Sequence, residues 1–140
     1  MTRGRLVLIT DDAIYSSVEF NGDMYWEGHG KDAYEGMENV KNIKDYESFV
    51  EQFDKQKFGY AKEDGCDLIR VIAGSDEKKK EYLNFKDEYL AKWFSDYLYI
   101  KNVGTRKAHI QTEAGDCYVY PGDTQFYRFG KYCVKPLDIV

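Results

Sequence analysis

Apolar positions along this chain recur with two periods, and the change of period divides it. Leu6, Val7, Leu8 and Ile9 form a continuous apolar run inside Arg5–Thr10, the pattern of a strand covered on both faces. Ile14–Phe20 alternates instead, with Ile14, Ser16, Val18 and Phe20 on one side and Tyr15, Ser17 and Glu19 on the other. Asn21-Gly22 tolerates the positive φ of a type I′ turn, so Met24–Glu27 is expected to return as a third strand. Gly28-His29-Gly30 breaks that strand and reads as a flexible hinge. Lys31–Val40 fits either a short helix or an irregular loop, because Gly36 costs a helix about 1 kcal/mol relative to alanine.

The helical period is clear over residues 43–57. Tyr46, Phe49, Val50 and Phe53 form one stripe, Asn42 is suited to the N-cap, and Gly59 is suited to stop the helix. Residues 60–66 read as a loop and Leu68–Ala73 as a short strand. From Asp76 to Phe94 the spacing of Tyr82, Phe85, Tyr89 and Trp93 predicts a second amphipathic helix, with Lys78-Lys-Lys80 as a solvated run on its face. Beyond Asp96 the period returns to two. Tyr97–Lys101, Lys107–Glu113, Cys117–Tyr120 and Thr124–Phe129 read as strands separated by turn residues, Lys131–Val134 extends the last, and Pro136 ends regular structure. The expected fold is one α+β domain over residues 1–140: an N-terminal β-hairpin or meander, two amphipathic helices and a C-terminal antiparallel β-meander.

Composition adds two features. Tyrosine, phenylalanine and tryptophan number 13, 8 and 2, and tyrosine in particular suits half-buried surfaces and interfaces. The net charge of −5 is uneven: residues 11–54 hold twelve carboxylates against three lysines, a balance of −9. Such a field repels nucleic-acid phosphates and attracts basic partners, so direct nucleic-acid binding is not expected. Cys66, Cys117 and Cys133 show no metal-type spacing and fit reduced thiols. No apolar run approaches the ~20 residues of a membrane helix, and the first apolar run ends before Asp11, too short for a signal sequence. A soluble protein of the cytoplasm is the expectation.

Catalytic signals are sparse. Glu27 and His29 could act as base and orienter in a hydrolase, or as two metal ligands, but a metal needs three or four converging groups and none is evident. There is no GxSxG elbow, Walker A lysine or dinucleotide fingerprint, so no cofactor or metal is expected. Two binding readings remain. In one, the acidic segment meets a protein with a basic surface, through Asp23, Tyr25, Trp26, Glu27, Asp32, Glu35 and Glu38, which combine long-range attraction with aromatic anchors. In the other, a nucleotide-like small molecule stacks on Tyr118 and Tyr127 while Arg106 and Arg128 hold its phosphates.

Two stretches, Ile9-Thr-Asp-Asp12 with Ile14-Tyr-Ser-Ser-Val-Glu-Phe-Asn-Gly-Asp-Met-Tyr25, and Trp93-Phe-Ser-Asp-Tyr-Leu-Tyr-Ile-Lys-Asn102, carry a resemblance. Over this minor part of its length the chain resembles small uncharacterised accessory proteins of phages and prophages of Gram-positive bacteria. The resemblance implies a non-enzymatic binding protein of the bacterial host cytoplasm, an inhibitor of a host defence system or a sequestering protein, and assigns no catalytic residue.

Overall fold

The computed structural model describes residues 2–76, 78, 81–86, 95–112, 115–130 and 133–136. It is an α+β structure in three layers: helices, a seven-stranded sheet and a three-stranded sheet. The large sheet is built around β1 (Arg3–Ile9), which pairs antiparallel with β2 (Ala13–Ser17) and parallel with β6 (Tyr97–Asn102). On the β2 side follows β4 (Ile69–Gly74); on the β6 side follow β9 (Thr124–Gly130) and β10 (Cys133–Pro136), and β3 (Phe20–Asn21) pairs with the start of β1. The small sheet has the order β5 (Tyr82–Lys86), β7 (Lys107–Thr112), β8 (Gly115–Val119).

Alternation along β1 explains the layering. Leu6 and Leu8 point to one side, where Phe20, Met37, Tyr46, Val50, Phe53 and Tyr99 complete a core under the helices. Val7 and Ile9 point to the other, where Leu83, Phe85, Ile100, Ala108, Ile110 and Val119 fill the space between the two sheets. The continuous apolar run of β1 is therefore buried on both faces, as its sequence predicts.

The helices are α1 (Lys31–Glu38), α2 (Ile43–Lys57) and α3 (Tyr60–Asp64). Asn42 Oδ1 accepts the Asp45 backbone N–H at 2.9 Å, the expected cap of α2. Gly59 then takes a left-handed φ of +89° two residues past the end of α2. Of the two readings of Lys31–Val40 the helix is found. Gly36 has a steric reason: a Cβ there would run into the Phe49 ring of α2, so the glycine lets the two helices approach.

Five expectations are corrected. Met24–Glu27 is not a strand. Positive φ falls on Gly22 (+145°) and Asp23 (+54°), one step later than a type I′ turn at Asn21-Gly22 requires, and β3 takes Arg3 and Gly4 as its partners. The chain then closes an irregular helical turn over Trp26–Gly30, where the Gly30 N–H donates to Tyr25 O at 3.0 Å. Nor is the Gly-His-Gly stretch a free hinge: Gly30 is buried against Tyr25 and Tyr99, and His29 packs edge-on to Phe58, with ring centroids 5.5 Å apart.

The second amphipathic helix is also absent at Tyr82–Lys86. Those residues form β5, with Leu83 and Phe85 fully buried, because β7 offers an edge for parallel pairing. Residues 77, 79, 80 and 87–94 of that expected helix, and with them two of the three lysines of the expected solvated run, lie outside the described residues. The segment 60–66, expected to be a loop, contains α3. Buried Asp54 explains it, since its carboxylate accepts the backbone N–H groups of Tyr60 (2.9 Å) and Ala61 (3.2 Å) at the helix start. Finally, the C-terminal strands are not one meander. β6 pairs with β9, while β7 and β8 leave as a hairpin for the small sheet and β10 forms a separate edge strand.

Candidate functional site

The acidic segment occupies the helical layer. Ala33 and Met37 of α1 are fully buried against the sheet, which turns Asp32, Glu35 and Glu38 outward, where all three are exposed. Asp23 and Glu27, on the stretch leading into α1, are exposed as well, and Tyr25 is 37% exposed beside them. On α2 the same logic buries Tyr46, Val50 and Phe53 and leaves Glu47 and Glu51, four residues apart, in solvent. These two glutamates were not among the expected contact residues, although the polar side of the α2 stripe carries the signal for them.

Trp26 departs from the others. Its ring sits 5.6 Å from that of Tyr34 and 5.5 Å from that of Phe126, half-buried over the sheet, so it serves packing and leaves Tyr25 as the presented aromatic. Asp32 is tied down differently: Lys57 Nζ, from the last turn of α2, donates to its Oδ2 at 2.9 Å. Among the described residues Asp32 alone of the expected acidic set is ion-paired. The end of α1 is anchored by Lys101, whose Nζ donates to the backbone carbonyls of Glu38 and Gly122, each at 3.0 Å. A shallow cleft of about 270 Å³ lies there, lined in part by Glu38, Lys101, Asn102 and Gly104.

The residues of the alternative ligand site are not brought together. Arg128 lies across from Tyr97 at the start of β6, and Arg106 follows the end of that strand, about 16 Å further along. Tyr127 is buried in the core, its hydroxyl donating to Tyr118 O at 3.3 Å, while Tyr118 is 46% exposed on the outer side of the small sheet. For catalysis the inventory is equally dispersed. Glu27 is exposed while His29 is engaged by aromatic rings, and burial pushes the Cys117 thiol up to about 12, against a smaller opposing hydrogen bond with Tyr127, so it is no thiolate at neutral pH. Among the described residues no three His, Cys, Asp or Glu side chains converge as a metal cluster, and no helix is long and apolar enough to cross a membrane.

The loops after β1 and β6 are joined by Asp11. Its carboxylate accepts the Thr105 backbone N–H (2.9 Å) and hydroxyl (2.8 Å). Burial raises this carboxyl, but the two Thr105 bonds and nearby Arg106 together outweigh that effect and hold it below the usual aspartate range. A depressed carboxyl stabilises the fold above its unfolded pKa of about 3.9, and that stability is lost as pH falls through the lower folded value. Wild type is accordingly expected to lose stability more steeply than Asp11→Asn below about pH 4, in urea titrations run across that range. Equal slopes would show that the Thr105 bonds do not favour the ionised form.

No protein-family model, curated protein or solved structure matches this chain.

Proposed function

We propose that this chain is a phage-type accessory protein that acts by binding rather than catalysis, in the cytoplasm of a bacterial host. Its helical layer occludes a basic surface on a host protein, and inhibition of a host defence system is the role in which such occlusion serves a phage. The observation that carries this reading is the outward array of Asp23, Glu27, Asp32, Glu35 and Glu38, all exposed on one stretch of chain, with exposed Tyr25 among them. Carboxylates at that density attract a basic partner from a distance, and a tyrosine supplies contact area at small entropic cost. Trp26 contributes by holding the turn beneath Tyr25 and not as an anchor. The alternative, a nucleotide-like ligand on Arg106, Arg128, Tyr118 and Tyr127, is weaker because Arg106 and Arg128 lie towards opposite ends of β6 and Tyr127 is buried while Tyr118 is exposed.

Capture of partners from a Gram-positive lysate tests the proposal. A basic host protein is expected to bind the tagged chain at low salt and to be released at high salt, since exposed charges are screened beyond about 10 Å at 0.1 M ionic strength. Capture of nothing, or of a partner indifferent to salt, would sink it.

A further inference from the structure

The outer face of the small sheet, on the far side of the molecule from the helices, carries a feature that the acidic layer does not use. Along its strands Leu83, Phe85, Ala108, Ile110, Cys117 and Val119 point inward to the core, so Asn84, His109, Asp116 and Tyr118 point outward. His109 is nonetheless only 8% exposed. Tyr118 lies flat on its imidazole, with centroids 4.4 Å apart and planes 5° apart, and Tyr82 meets it edge-on at 6.0 Å. The imidazole is thus fixed in orientation. Its Nε2 has no hydrogen-bond partner, and neither has Asn84 Oδ1, which belongs to the residue directly across from His109 in the β5–β7 register. Asp116, across from Gln111 in the β7–β8 register, completes the group, its Oδ1 3.6 Å from His109 Nε2.

Two buried polar atoms without a hydrogen bond, on residues paired across β5 and β7, call for an occupant. The 3.6 Å separation lies within ion-pair range for an imidazolium, and it also bears on what could bridge the two atoms. A direct hydrogen bond between Nε2 and Oδ1 requires roughly 2.7–3.2 Å, so 3.6 Å is too long. One water bridging the two, with bonds of about 2.8 Å at a tetrahedral angle, would hold them about 4.6 Å apart. Two ligands on one Zn²⁺-sized cation, at about 2.0–2.1 Å each, are separated by about 3.4 Å, the nearest of the three values.

We propose that His109 Nε2, Asp116 Oδ1 and Asn84 Oδ1 form a site for a divalent transition-metal cation of the Zn²⁺ type. One imidazole nitrogen, one carboxylate oxygen and one amide oxygen suit a borderline cation with a fourth position left to water. The site takes one ligand from each strand of the small sheet. A bound cation therefore cross-links β5, β7 and β8, and by binding only the folded state it stabilises that sheet.

The test uses the full-length chain and metal alone. Zn²⁺ titrated calorimetrically is expected to bind one per chain and to raise the melting temperature. Co²⁺ in its place is expected to show visible d–d bands without a thiolate charge-transfer band, which separates this site from binding by Cys66 or Cys133. Asp116→Asn changes a half-exposed side chain and spares the fold, and it is expected to weaken binding about 100-fold. His109→Gln is expected to abolish binding, with the melting curve of the metal-free variant reporting that it is folded. No binding at roughly 1 mM Zn²⁺, a thiolate band, or unchanged affinity in folded Asp116→Asn would each overturn the site. None of these outcomes depends on the acidic surface or its partner.

Discussion

Replacing Phe53 with alanine is expected to remove about 3–5 kcal/mol of folding stability, the largest single-residue effect argued for this chain. Phe53 is 2% exposed and lies at the middle of an aromatic cluster beneath α2. Its ring meets Phe20 edge-on at 5.0 Å, Phe49 at 5.9 Å and Phe58 at 6.1 Å, and His29 closes the group at 6.4 Å. Phe20 and Phe58 belong to separate elements, so the surroundings cannot collapse into the vacated space without moving β3 and the end of α2 together. Because domains are stable by only about 5–15 kcal/mol, this loss brings the variant near its unfolding threshold. Urea unfolding followed by tryptophan fluorescence measures it, and a loss under about 1 kcal/mol would contradict a packed cluster. The change also loosens the support of the Trp26–Gly30 turn, through His29, so it tests whether Tyr25 depends on the core behind it.

Reversing Asp32, Glu35 and Glu38 together to lysine is expected to weaken binding of a basic partner by about 100-fold or more. Each reversal turns one attraction into a repulsion of order 1 kcal/mol at an exposed interface, and about 1.4 kcal/mol corresponds to a factor of ten. Glu35 and Glu38 are exposed, so their reversal leaves packing intact. Asp32 carries the 2.9 Å contact with Lys57, and losing a pair whose carboxylate is 60% exposed costs the fold little. The double variant Glu35→Lys/Glu38→Lys therefore separates the surface effect from any loosening between α1 and α2. It is expected to retain wild-type melting and to lose most of the affinity. Undiminished affinity in the triple variant would place the contact elsewhere.

Local pattern was informative wherever a residue's role depends on its near neighbours in the chain. The stripe over 43–57, the Asn42 cap and the glycine stop at 59 are all decided within about four residues, and each is found in place. The outward set on α1 follows from the same periodicity once Lys31–Glu38 is helical. Trp26 was misplaced because an aromatic next to charged residues looks exposed in a list of residues, whereas Phe126, a hundred positions away, supplies the ring that covers it. Tyr82–Lys86 was misread because Tyr82 and Phe85 fit a helical stripe as part of a longer run, while Leu83 and Phe85 alternating with Tyr82 and Asn84 fit a strand equally well. The deciding partner, β7, lies more than twenty residues downstream.

The same division of labour applies to the two surfaces. Charge density between residues 11 and 54 is a property of the chain itself, and any helix over Lys31–Glu38 that buries Ala33 and Met37 must present Asp32, Glu35 and Glu38 to solvent. The grouping of Asn84, His109 and Asp116 is not written in any spacing. It arises because β5 pairs in parallel with β7 and β7 turns back into β8, which brings together residues 25 and 7 positions apart. Periodicity settles which side of an element is apolar, since that follows from backbone geometry alone. Strand order and register are set by which distant apolar faces cover one another, and only the folded chain makes that choice.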